Sequence, residues 1–257
     1  MNIFISNTDK THPLKAAFNL LLLSALLVLL FWFIISRIGY AFNFAILAPL
    51  HGRLAKGFLM TFYLSTASLI LSLLLGVVNA VLQSYKILVL RYLSKLYVTV
   101  IRGTPLITQV YLFYYIVGTA FGVSNKFLCG VLVLSLFEGA YIAEIIRGSL
   151  LSMDPTQIEA AKAVGFTKRQ IAALVTLPQL VARTLPALTG QFASIIKDSS
   201  LLSVVAIIEL TQTMREISAV NYKLFECYLF LGVLYLLLTL PVSFISKRLE
   251  LRFSYEN

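Results

Sequence analysis

Four ionisable residues stand inside long apolar runs, where charge is poorly solvated. Glu138 and Glu144 lie in one run and Lys197-Asp198 in another. Such groups inside a membrane span face a cavity or a partner, because hydrocarbon does not stabilise them. Glu144 and Arg147 are three apart on one helix face, so a pair near the cytoplasmic end is expected. Glu138 has no obvious local cation. It could attract a cationic side chain or an α-amino group, or it could meet Lys197. Lys197 and Asp198 are neighbours, which do not face each other on a helix. They therefore serve different partners, or the helix breaks there. Pro186, Gly190 and Gln191 nearby suggest a segment beside a water-filled gap. Glu138, Lys197, Asp198 and Ser199 are thus candidates for lining a substrate path, the alternative being a structural ion pair between spans. Tyr111, Tyr114 and Tyr115 read as interfacial or packing aromatics.

Other chemistry finds little support. Asp154 and Glu159 sit in a helix-capping region and do not form a catalytic carboxylate pair. No nucleophile and base stand at a useful spacing. His12 and His51 are lone and outside the apolar runs. Cys129 and Cys227 lie within or beside apolar runs, far apart in sequence, and read as small buried hydrophobes rather than a disulfide or a metal site. No G-x-x-x-x-G-K occurs, so no phosphate-binding loop for ATP is present. The expectation is a chain with no catalytic, cofactor or metal site of its own.

The elements that must hold these residues are membrane helices. The chain is 59% hydrophobic and 12% charged, against roughly 25% charged in soluble domains. In such a chain a net charge of +10 reflects basic residues flanking spans, not nucleic-acid binding. A crossing helix needs about 20 mostly apolar residues. Six stretches qualify: 16–36, 57–83, 105–121, 127–146, 185–208 and 227–245. The first is too long for a removable signal peptide and has no small-residue cleavage site after it. The expected fold is all-α, a polytopic transmembrane bundle forming one membrane domain.

With a cytoplasmic N-terminus, 14 of the 21 Lys and Arg residues fall inside and six outside, with Lys197 unassigned. The excess favours both termini inside. Arg37, Arg53 and Lys56 run against the count, and 51–56 reads as part of an interfacial helix. The connection 84–104 has no acidic residue and carries Arg91 and Lys95 on one face, so it reads as an amphipathic helix along the headgroups. It ends at Arg102-Gly103-Thr104-Pro105, where Thr104 can cap and Pro105 suits the first helical position.

The connection 148–177 is polar and highly organised. Asp154-Pro155 is a helix start, Gly165 is placed as a left-handed C-cap, and Thr167-Lys168-Arg169-Gln170 has capping-box spacing. Leu177-Pro178 should end or bend the second helix. The result is two short helices at a glycine corner. Ala160, Ala161 and Ala163 make a surface that another body can approach closely. That surface either covers its own bundle or docks a partner.

These residues resemble the EAA motif of the permease subunits of ABC importers. The family pattern is E-A-A, three residues, G, nine residues, I, one residue, L-P. Here Glu159-Ala160-Ala161, Gly165, Val175 and Leu177-Pro178 keep the spacing, with valine for isoleucine the one departure. Ile101–Pro105 with Gln109, Gly139–Gly148 and Ile196–Leu201 are similar to the polar-amino-acid branch of that family. The resemblance begins near Tyr40. Residues 1–39 and their span are an addition to the usual five-span core, which leaves 40–257 as the permease domain.

The resemblance implies a type I importer fold and a role for Glu159, Ala160, Ala161, Gly165, Leu177 and Pro178 in coupling to a separate ATPase subunit. ATP and Mg²⁺ would sit on that partner. It further implies a second permease subunit, identical or related, an extracytoplasmic amino-acid-binding protein, and a bacterial inner-membrane location. The rivals are an ion-coupled secondary carrier for amino acids, which needs its own ion site and repeats, a membrane enzyme, and a non-transporting anchor that keeps the ATPase dock.

Overall fold

The structure, a computed structural model, describes residues 13–253. Lys10 and His12 lie outside them. Residues 1–44 and 45–257 form two separate units. The first contains α1 (Pro13–Ile38), which is apolar on every side and long enough to cross a bilayer.

The second unit is built on two parallel helices, α2 (His51–Gln83) and α5 (Lys126–Leu151). Leu64 lies beside Gly130, the Ser135 hydroxyl donates to the Ser68 carbonyl at 3.2 Å, and Gly76 meets Ile142. The reason is a stripe of small residues. Gly57, Thr61, Ser65, Ser68, Ser72, Gly76 and Ala80 recur every three or four positions on the buried face of α2. Lipid chains are as apolar as leucine, so helices associate by close backbone approach, which small residues permit. A Cβ added at Gly76 would come within 2.3 Å of the Ile142 side chain.

A short 3₁₀ segment, Phe44–Leu50, leads straight into α2. Residues 51–56 are therefore the first turns of a spanning helix, not a separate interfacial one. Arg53, unexpected on that side, pairs with Glu216.

The 84–104 connection contains α3 (Leu88–Gly103). Leu88, Tyr92, Leu96 and Val100 are exposed, whereas Ser94, Val98 and Ile101 are buried. The Ser94 hydroxyl bonds Asn79 Oδ1 of α2 at 2.8 Å, and the Tyr97 hydroxyl donates to the Leu136 carbonyl of α5 at 2.5 Å. So α3 is amphipathic as expected, but it is packed across α2 and α5 and does not merely lie on headgroups. Arg102 sits over the Tyr141 ring.

The stretch 105–121 forms α4 (Leu106–Leu112) and a π-helical turn, Phe113–Gly118. Leu106–Gly118 spans about 20 Å at 1.5 Å per residue, less than the roughly 30 Å of hydrocarbon, so by length it falls short of an unaided crossing. Five helices in the described residues are long and apolar enough to cross. Pro105 is the N-cap of α4 rather than its first residue, and Thr104 turns back to the Val100 carbonyl at 2.9 Å.

After α5 come α6 (Pro155–Ala163) and α7 (Lys168–Gln170). A π-turn, Ile171–Thr176, joins α7 to α8 (Leu177–Asp198). Leu177-Pro178 does not end the second helix. Helix runs from Lys168 through both residues. In the wide turn the Leu177 N–H reaches back five residues to the Ala172 carbonyl, so the ladder is already re-registered where proline lacks its donor. The span expected at 185–208 is accordingly the last part of a longer apolar helical segment, Lys168–Val205. A 3₁₀ segment (Ser199–Val205), α9 (Leu210–Asn221) and α10 (Leu224–Phe253) complete the chain.

Two apolar clusters result. One, holding Cys129, joins α2, α3, α4 and α5 with the 3₁₀ segment after α8. The other, holding Cys227, joins α2, α8, α9 and α10. Both thiols are free and buried.

Candidate functional site

The polar connection is fixed by its own backbone. The Asp154 carboxylate accepts the Thr156 N–H at 2.9 Å and caps α6. That bond, with the Thr156 hydroxyl and the charge of Arg183, holds Asp154 below the usual carboxylate range. At the other end Gly165 has φ +86°, a left-handed conformation. The Gly165 N–H bonds the Lys162 carbonyl at 3.0 Å and the Phe166 N–H bonds the Ala161 carbonyl at 3.1 Å. This is the Schellman pairing, which satisfies the last carbonyls of the helix. Thr167 and Gln170 form a reciprocal capping box. The Gln179 amide donates to Gln157 Oε1 at 2.5 Å, and Arg183 donates to the Ser152 carbonyl at 2.8 Å, so α8 is fastened to α6 and to the end of α5.

What this frame presents is partly apolar. Glu159, Ala160, Ala163, Gly165, Leu177 and Pro178 are exposed, as are Val164, Phe166 and Leu174. Ala161 differs: it is buried, as is Ile171 on the facing turn, so one of the three alanines packs inward.

The second cluster lies between α5 and α8. Glu138 is fully buried, and its Oε2 accepts a hydrogen bond from the Gln191 amide. Its Oε1 has no protein hydrogen-bond donor. The Asp198 carboxyl lies in contact with that of Glu138 at the last residue of α8. The α-helix does break at this point, giving way to a 3₁₀ turn. Lys197 is exposed and has no ion pair among the described residues, so neither expected pairing, with Glu138 or with another span, is present. Ser199 is fully buried and its hydroxyl turns back to the Ile196 carbonyl at 2.7 Å. Of the four path candidates, then, Glu138 and Asp198 come together and Lys197 and Ser199 do not join them. Glu144 pairs with Arg147 as expected, and also with Arg102 at 3.7 Å.

Residues 72–255 match the family model described as binding-protein-dependent transport system inner membrane component. The chain belongs to that family. The matched region runs from the second half of α2 to the end of α10 and holds both clusters. The glutamine transport system permease protein GlnP of Escherichia coli K12 is 34% identical over 213 residues, covering 82% of this chain and 97% of that protein. The probable glutamine ABC transporter permease protein GlnM of Bacillus subtilis is 34% identical over 212 residues, covering 81% of this chain and 98% of that one. A crystal structure of an amino acid ABC transporter with histidines superposes with a TM-score of 0.77 at 31% identity, covering 83% of this chain and all of the other. An inward-facing structure of the MetNI methionine ABC transporter, at 21% identity and a TM-score of 0.67, shares the fold. The chain is thus a multi-pass inner-membrane permease with the fold of type I importers.

Within this family frame three polar residues have structural roles not assigned above. Gln191 holds Glu138 across helices, and nothing in their spacing links them. Gln109 donates to the Ile101 carbonyl at 2.7 Å and the Thr104 hydroxyl at 2.8 Å, closing the end of α3. Glu209 is fully buried, caps α9 through the Thr211 and Gln212 N–H groups at 2.7 Å, and accepts from the Tyr235 hydroxyl at 3.0 Å. Its capping signal, Glu209 ahead of the polar run Thr211-Gln212-Thr213, was available in the sequence.

Proposed function

We infer that this permease imports polar amino acids and is driven by a separate ATPase subunit docked on the 148–177 connection. The observation that carries the reading is the rigid, exposed corner at Gly165. It keeps the family's spacing and presents Glu159, Ala160 and a rim of apolar side chains left exposed among the described residues. ATP and Mg²⁺ belong on the partner. The positive-inside count supports a cytoplasmic position for the corner and for both termini. A second permease subunit, identical or related, completes the path, and an extracytoplasmic binding protein delivers the solute. The named relatives support amino acids as the substrate class. The Glu138–Asp198 pair supports it chemically, since carboxyls suit an α-amino group. Residues 1–39 are read as an N-terminal extension to the permease domain, carrying one span of their own.

The test is to purify the chain from its own membrane with whatever accompanies it and measure ATP hydrolysis across a panel of amino acids. An accompanying ATPase stimulated by the loaded binding protein is the expected result. Uptake that persists without ATP and collapses with an ion gradient would instead identify a secondary carrier.

A further inference from the structure

A cavity of about 610 Å³ lies under α3, between the ends of α2 and α5, outside the two clusters described above. Its wall is basic. Lys95 and Arg102 project from α3 and Arg147 from α5, against a single acid, Glu144. Glu144 pairs with both arginines, so one of those charges and that of Lys95 remain uncompensated. Gln83, nine-tenths buried at the end of α2, is among the lining residues, and its amide nitrogen has no hydrogen-bond acceptor among the described residues. Thr99 adds a hydroxyl on the α3 wall. A buried donor without a partner is unfavourable, so an acceptor is called for there. The adjoining face of α3 is exposed and apolar at Tyr92, Leu96 and Val100.

We propose that this cavity holds the phosphate of an anionic phospholipid of the inner leaflet, with its acyl chains along the apolar face of α3. The side of the membrane rests on the orientation argued above. Basic pockets between spans on the cytoplasmic side suit such headgroups. The phosphate accepts from Lys95, from the uncompensated guanidinium and from the Gln83 amide. The apolar strip one residue away on the same helix favours a lipid over a free anion.

The test uses the assembled transporter in nanodiscs of phosphatidylcholine containing a minor fraction of phosphatidylglycerol. Lipid that survives detergent exchange is counted by native mass spectrometry. Wild type should retain phosphatidylglycerol in preference to phosphatidylcholine. Lys95→Gln should lower that retention about fivefold, the effect of one basic residue near an anionic surface. Gln83→Leu should lower it too, without changing charge. Lys86→Gln, on the same surface but outside the cavity, should not. Equal losses for Lys86→Gln and Lys95→Gln, or equal retention of the two lipids, would overturn the site. Displacement of the lipid by inorganic phosphate would show that a free anion is the ligand instead. Lipid retention is read without transport, so failure of the import reading would show separately, as absence of a co-purifying ATPase.

Discussion

Gly165 can separate a structural corner from a docking corner. Its φ of +86° is left-handed, and a Cβ built there meets no atom within 4 Å. Inside the chain, a side chain at 165 therefore costs only backbone strain, about 1–2 kcal/mol. That is about a 5- to 30-fold shift against the closed corner. Asparagine tolerates this conformation, so strain alone predicts that Gly165→Asn behaves almost as wild type while Gly165→Ala and Gly165→Leu suffer alike. A partner seated on the corner changes the order. Leucine then overpacks an interface, adding about 1–3 kcal/mol beyond alanine, and asparagine is no longer silent. The assay is ATP hydrolysed per solute taken up by the complex in proteoliposomes, with membrane insertion measured in parallel. Gly165→Leu should raise that ratio and transport about tenfold less than Gly165→Ala, with insertion unchanged. Wild-type transport by Gly165→Leu, or equal loss for leucine and alanine, would refute the docking argument.

Glu138→Gln keeps a hydrogen-bonding side chain but removes the charge. Uptake KM should rise about 10- to 150-fold if the carboxylate holds an α-amino group, and kinetics unchanged for every amino acid would remove Glu138 from the path. Gly76→Val forces a side chain into Ile142 and should destabilise the bundle by about 1–3 kcal/mol, read as a lower Tm of the detergent-solubilised protein. Val164→Cys, exposed at the corner, should be labelled by a membrane-impermeant maleimide in inverted vesicles stripped of the ATPase and not in intact cells. Asp154 has a depressed folded pKa, so its capping contribution is fully present above the unfolded value of about 3.9 and is lost only as pH falls through the lower folded value. Amide exchange at Thr156 should thus hold its protection through mild acid, and loss near pH 6 would contradict the capping geometry.

Local signals were legible and distant ones were not. The caps at Asp154 and Thr167, the left-handed Gly165 and the Glu144–Arg147 pair all involve residues within a few positions of each other, so spacing determines them. The break after Asp198 was one of two readings left open by two adjacent charges, the other being different partners for each. By contrast, Leu177-Pro178 reads as a stop because proline lacks a donor, and only the wider turn before it lets the helix continue. Arg53 looked misplaced until its partner Glu216, 163 residues away, explained it. The fate of Glu138 was unreadable for the same reason: Gln191 and Asp198 reach it by the packing of α8 on α5. The stripe from Gly57 to Ala80 was in plain view, but its residues are neither charged nor strongly apolar, and hydropathy passes over them.

That stripe has a mechanical consequence. Where α2 meets α5, its glycine, serine and alanine leave notches, and Ile142 of α5 sits in the one at Gly76. To slide one helix along the other, that side chain would have to climb out of its notch, so the seam resists shear more than a smooth leucine face would.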